Sequence, residues 1–321
     1  MRHKYEIYMH RAALVSLFCN IVLVLIKSTT LLLVKSLAIA VDLSISCVGL
    51  AVSVILYYSI KLASRPADLF HNYGYGKVEH VCEAMEGVVL MGIALAMSFQ
   101  AVVHLIHPRH VMLPWIGLVS SAISCCINFG GAYYIFKMAK KSASPAIHAE
   151  GLHWRMEGFI SSMIAGAFLV SVFLLAKGKA AAAIYVDPMA ALLVSVVVFI
   201  PSFKLAKASF FKLLDASVEE DSQMGILKQL SRHMDKFCEF QDLKTRVSGR
   251  KKFVEFKLVV PEDISLKEGY KLVSHLEEDI KKGVPNCEVL IKMRPCIKDC
   301  QFVKKGEKCP YLSPVVPAGK I

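Results

Sequence analysis

His148-AEGLHWRMEGFISSMIAGAFLVSVFLL-Ala176 begins with a polar segment that carries His148, Glu150, His153, Arg155 and Glu157, and ends in an uncharged apolar run. The run from Gly158 to Ala176 is close to the ~20 residues that a helix needs to cross the hydrocarbon of a bilayer. Similar runs recur at Ala12 to Val34, Leu37 to Ile60, Gly87 to Ile106, Met112 to Phe136 and Val186 to Phe203, which makes six expected spans. The chain of 321 residues is 55% hydrophobic, and its mean hydropathy is +0.50. That composition excludes a soluble enzyme and predicts a polytopic membrane protein. No phosphate-binding loop of the Walker type is present to drive a pump by ATP.

Charge sets the expected orientation. Arg2, Lys4 and Arg11 precede the first span, Lys61, Arg65 and Lys77 follow the second, and Lys137, Lys140 and Lys141 follow the fourth. The opposite loops are poorer, with Arg109, Lys177 and Lys179, although Lys27 and Lys35 flank the first turn. Basic segments stay in the cytoplasm, so both termini are expected there. No small-residue cleavage site follows the first span, which is read as retained rather than as a signal peptide. The net charge of +12 so close to a bilayer reflects topology and attraction to anionic lipid, not nucleic-acid binding.

Three regions follow: a six-helix transmembrane domain over residues 1–208, a cytoplasmic αββαβ domain over 209–296, and an irregular Cys-bearing tail over 297–321. The middle region predicts a helix near Glu219 to Lys236, strands at "LKTRVSG" and "KFVEFKLVV", a helix from Ser265 to Lys282 with Ser265 as N-cap, and a strand at "CEVLIKM". This order suggests an α+β, ferredoxin-like sheet covered on one face by helices. Ten Cys beside a reducing compartment argue against a disulfide framework, and Cys19, Cys47, Cys125 and Cys126 are read as small packing residues.

Asp42 is the single ionisable residue of the second span. A carboxylate there costs about 2.5 to 3.5 kcal/mol on insertion scales, so it is expected to face the bundle interior and mark an ion or proton path. His153 and Glu157 are four apart, which puts both on one helix face, and Asp42 and Ser46 repeat that spacing. Two such helices side by side present Asp42, Ser46, His153 and Glu157 to one divalent ion. The competing readings are a protonated Asp42 bonded to a neighbouring helix, and Glu157 paired with Arg155 or a loop Lys. Asp68 and His71 form a second candidate pair, and Cys296, Cys300 and Cys309 a candidate soft-metal cluster whose rival reading is a set of free thiols.

The loop Arg65-PADLFHNYGYGKVE-His80 resembles the signature of the cation diffusion facilitators. "KSLAIAVDLSIS" at Lys35, "LHWRMEG" at Leu152, "YVDPMAALLVS" at Tyr185 and "FFKLLDAS" at Phe210 extend the resemblance over nearly the whole chain. The resemblance implies a homodimer, six helices per subunit, that exports divalent metal in exchange for protons by alternating access. It implies no permanently bound cofactor, the metal being the transported substrate. By position its transport site is Asp42 with Ser46 and His153 with Glu157.

The chain departs from the family pattern at several places. Ser46 stands for a second acidic residue and Glu157 for Asp, which widens the expected metals from zinc to iron or manganese. Tyr75 replaces a second loop histidine, Tyr270 replaces a histidine of the tail domain, and "KMRP" at Lys292 to Pro295 replaces the terminal HVEP-like stretch. Lys292 and Arg294 cannot ligate a cation. These departures keep a second expectation open, a non-transporting member that acts as a structural or regulatory partner in a heterodimer with a relative.

Overall fold

The computed structural model describes residues 2–63, 67–108, 111–142, 145–249 and 251–297. The described residues of Met1–Ile60 and Cys82–Ala208 form one compact unit, and those of Lys61–Val81 and Ser209–Ile321 form another.

Six long helices dominate the chain: α1 (Arg2–Val34), α2 (Leu37–Ala63), α3 (Lys77–Ile106), α4 (Pro114–Ser142), α5 (Pro145–Ala176) and α6 (Ala180–Leu213). Backbone polar groups in lipid must be satisfied within their own segment, and helices of apolar sequence do so. Five of the six are long and apolar enough to cross a membrane, and among the described residues the apolar stretch of α2, Leu37–Ala51, is shorter. The polar mouth read from the sequence is itself helical, since α5 starts at Pro145, thirteen positions before the apolar run at Gly158.

Side-chain fit fixes how these helices meet. Val34, Ile45, Leu90, Ile164, Phe168 and Val194 close one apolar core, while Leu23, Ile135 and Trp154 close a second. At Gly87 on α3 an added Cβ would lie 2.7 Å from the backbone nitrogen of Ala206 on α6, so only glycine allows that crossing. The Trp154 indole donates to Ser16 Oγ at 3.1 Å and to Glu150 Oε1 at 3.1 Å, and Ser16 Oγ donates to Glu150 at 2.7 Å. This clamp ties α1 to α5. Lys27 lies eleven positions after Ser16, about three turns along, and so shares the inward face of α1.

The start of α2 is held from α6. The Asp187 carboxylate accepts from the Ser36 hydroxyl, from Leu37 N at 2.8 Å and from Ala38 N at 3.3 Å. Ser36 Oγ in turn accepts from Ile39 N at 3.2 Å, as an N-cap does. A carboxylate at this end also complements the helix dipole.

The second unit has α7 (Glu220–Arg232), β1 (Glu239–Ser248), β2 (Lys251–Val260), α8 (Leu266–Gly283) and β3 (Cys287–Pro295), the expected αββαβ order. The sheet order is β1-β2-β3, antiparallel then parallel. The alternation of β2 buries Val254, Phe256 and Leu258 against Ile226, Leu230, Leu272, Leu276 and Ile280 of the two helices. Ser265 caps α8, as its sequence predicts, and the structure adds a reciprocal box with Glu268.

The loop before α3 belongs to this unit. Gly76 packs on the Ser248 backbone with no room for a side chain. The Arg246 guanidinium lies 4.1 Å from the Tyr73 ring and 4.7 Å from the Phe253 ring.

Candidate metal-binding site

Asp42 and Ser46 project from α2 and Glu157 from α5, all buried. Ser46 Oγ approaches Glu157 Oε2 at 3.4 Å, which joins the two i, i+4 pairs. On α5, His153 Nε2 stands 3.2 Å from Glu157 Oε1. That approach is within ion-pair distance without hydrogen-bond geometry, so Glu157 Oε1 remains a buried acceptor with no hydrogen-bond partner among the described residues. Gly49 on α2 makes room for the pair: an added Cβ would meet His153 Nε2 at 3.1 Å and Glu157 Oε1 at 3.3 Å.

The remaining part of the site was not read from the sequence. Lys27, taken there as flanking the first turn, sits seven positions inside the end of α1 and is 1% exposed. Its ammonium donates to Asp42 Oδ1 at 2.8 Å and to Ser46 Oγ at 2.8 Å. The second Asp42 oxygen receives a long contact of 3.5 Å from Ser161 Oγ, which is itself 3.3 Å from Asn128 Nδ2 on α4. A polar string thus runs from Asn128 through Ser161, Asp42, Lys27 and Ser46 to Glu157 and His153. A single Lys within an apolar run was the available signal, by the rule that picked out Asp42.

Among the described residues no three His, Cys, Asp or Glu side chains lie where one metal could join them. The four expected residues therefore lie together as two linked pairs, with Asp42 turned to Lys27. Arg155, a rival partner for Glu157, lies 5.8 Å from the Phe136 ring.

The loop pair is also close, but its oxygens are engaged. Asp68 Oδ1 accepts from Phe70 N at 2.9 Å and His71 N at 2.7 Å, and Oδ2 accepts from the Tyr75 hydroxyl at 2.6 Å. That hydroxyl, with the backbone donors, holds the Asp68 carboxyl below its ordinary range. His71 Nδ1 is 3.4 Å from Asp68 Oδ1. Tyr75 fills with a donor the place at which the resemblance expects a ligand.

In the tail, Cys296 continues the pairing of β3 through Cys296 N to Val260 O at 2.9 Å and is a free thiol. Cys300 and Cys309 lie outside the described residues. Tyr270 is exposed on α8, and Lys292 and Arg294 are exposed on β3.

Residues 13–214 match the family described as cation efflux transmembrane domain, and residues 218–296 match the cation efflux protein, cytoplasmic domain. The cation-efflux pump FieF of Cronobacter sakazakii is 25% identical over 296 residues, 92% of this chain and 96% of its own. FieF of Shewanella oneidensis is 24% identical over 292 residues, 91% of this chain and 96% of its own. Among solved structures, the metal-bound C-terminal domain of the CzcD transporter from Thermotoga maritima is 22% identical, covers 24% of this chain and 94% of its own, and has a TM-score of 0.23. The two domain matches leave only short stretches of the chain uncovered, and the chain belongs to the cation efflux family of multi-pass membrane transporters.

Proposed function

We propose that the chain exports a divalent metal ion of the zinc, iron or manganese class from the cytoplasm in exchange for protons, with Asp42, Ser46, His153 and Glu157 as the transport site. The observation that carries this is the join between the two pairs: Ser46 Oγ and Glu157 Oε2 stand 3.4 Å apart in the membrane unit, with an orphaned Glu157 oxygen beside His153. A buried carboxylate oxygen that lacks a donor is costly unless a cation visits it. Ligands must shed protons to bind metal, so arriving metal releases protons from imidazole and carboxylate.

The matched cytoplasmic domain supports a dimer, here a homodimer with both termini cytoplasmic. Domain limits of 1–208, 209–296 and 297–321 are part of the same reading. Ser46 in place of an acid leaves a neutral oxygen, which suits a metal that completes its shell with water.

One observation favours the second reading, a non-transporting partner of a related subunit. Lys27 already supplies Asp42 with a cation. Proteoliposomes separate the two readings. Uptake of zinc, iron(II) or manganese that needs an imposed proton gradient and is lost in Asp42→Asn establishes the exporter. Background uptake by a folded protein for all three metals assigns the chain to the partner role.

A further inference from the structure

We infer that the Lys27 ammonium is a tethered cation that occupies the α2 half of the transport site, and that a divalent metal binds there only when Lys27 has left. The inference rests on the transport-site reading above and adds a residue to it from a helix that the two pairs do not use.

Nζ makes its two hydrogen bonds to Asp42 Oδ1 and Ser46 Oγ, each at 2.8 Å. Those are the oxygens that the i, i+4 pair on α2 would offer a metal, so the ammonium and the metal compete for one donor set. The side chains of Lys27 and Asp42 are 2% and 4% exposed, which leaves little water to screen a second cation. Charge makes the competition steep. With Asp42 and Glu157 ionised and His153 neutral, a divalent ion brings the site to zero without Lys27, and leaves a net positive charge if Lys27 stays. In a poorly screened interior that excess opposes binding strongly.

The lysine is suited to leaving. Its charge is a point at the end of a flexible four-carbon stem, with no planar fork to lock it in place. Ser46 is the small neutral residue that this arrangement accommodates: its hydroxyl accepts from Lys27 and lies 3.4 Å from Glu157. Lys27 therefore sets the affinity of the site and holds Asp42 neutralised between transport events.

The test is binding of radiolabelled zinc to the purified full chain in nanodiscs by equilibrium dialysis. Lys27→Gln, which removes the charge and keeps a donor, is expected to bind zinc about tenfold or more tighter than wild type. Adding Asp42→Asn to that variant is expected to remove the gain, and Lys27→Arg is expected to bind no tighter than wild type. A merely structural lysine would weaken or leave affinity unchanged when replaced.

If Lys27→Gln binds no tighter while wild-type binding depends on Asp42, the competition is refuted and the transport site survives. If no variant binds zinc, and none binds iron(II) or manganese in the same dialysis, both fall. Should Lys27→Gln fail to fold, the wild type still decides: acylation of the Lys27 amine, read by peptide mass spectrometry, is expected to rise at zinc concentrations that saturate Asp42-dependent binding. Unchanged acylation there overturns the inference.

Discussion

A carboxylate and an ammonium 2.8 Å apart inside the membrane unit stabilise each other only as a pair. Removing one member leaves the other charged and without its partner, which costs about 3 to 5 kcal/mol in buried pairs, whereas replacing both by apolar residues is often neutral. Asp42→Ala is therefore expected to lower thermal stability in detergent sharply, and Asp42→Leu with Lys27→Met to restore most of it. Equal losses in the single and double variants would show that the pair is not coupled. Gly49 tests the other side of the site. Gly→Ala in a helix interior gains roughly 0.5 to 1 kcal/mol, but here the new Cβ would press on His153 Nε2 at 3.1 Å and Glu157 Oε1 at 3.3 Å. Gly49→Ala is expected to fold at least as well as wild type and to lose metal transport in proteoliposomes.

At the scale of elements, the start of α2 is held by a residue of another helix. Asp187 accepts from two backbone N–H groups at the first turn of α2 and from the Ser36 hydroxyl. Losing a capping side chain costs about 0.5 to 2 kcal/mol. Asp187→Ala is expected to lie at the upper end because Ala38 N and the Ser36 hydroxyl, both buried, would lose their acceptor. The first turn of α2 should then lose hydrogen-exchange protection ahead of the rest of the helix, and equal protection in wild type and variant would exclude the cap. The contrast with α8 shows what a sequence can carry. Its cap, Ser265, was legible, as were the alternation of β2 and the i, i+4 pairs on α2 and α5, and its partner Glu268 lies only three residues on. Asp187 and Leu37 are 150 residues apart, and Lys27 meets Asp42 across 15 residues of chain on a face of α1 that also carries Ser16 of the clamp. Local periodicity holds no term for such meetings. It flagged Asp42 as an anomaly, passed over Lys27 and Asp187, and left the partners of all three unnamed.

At the scale of the whole molecule, the unit built around the sheet carries an acid response of its own. The unit built around the sheet holds its carboxylates on donors at the surface. The Lys77 ammonium, 3.0 Å away, with Arg246 beyond it, holds Asp215 below its ordinary range. Lys257 does the same to Asp242, and His233 to Asp279. A carboxyl depressed by folding adds stability that is complete above its unfolded pKa, about 3.9 for Asp. That stability is lost as pH falls through the lower folded value. The pairs are largely exposed, so each contribution is small and screened by salt, but all have the same sign and titrate in one window. Acidification from pH 4 to 3 is therefore expected to loosen the sheet unit progressively, with pepsin cuts mapped by mass spectrometry appearing within residues 209–297. Both tryptophans, Trp115 and Trp154, lie in the membrane unit, so their fluorescence reports on that unit separately. Asp215→Asn removes one depressed group and should flatten the pH dependence of cleavage between pH 4 and 3. If the variant follows the wild-type curve, the charge of Asp215 contributes nothing to folding, and Lys77 acts through its bond to Leu213 O at 3.1 Å.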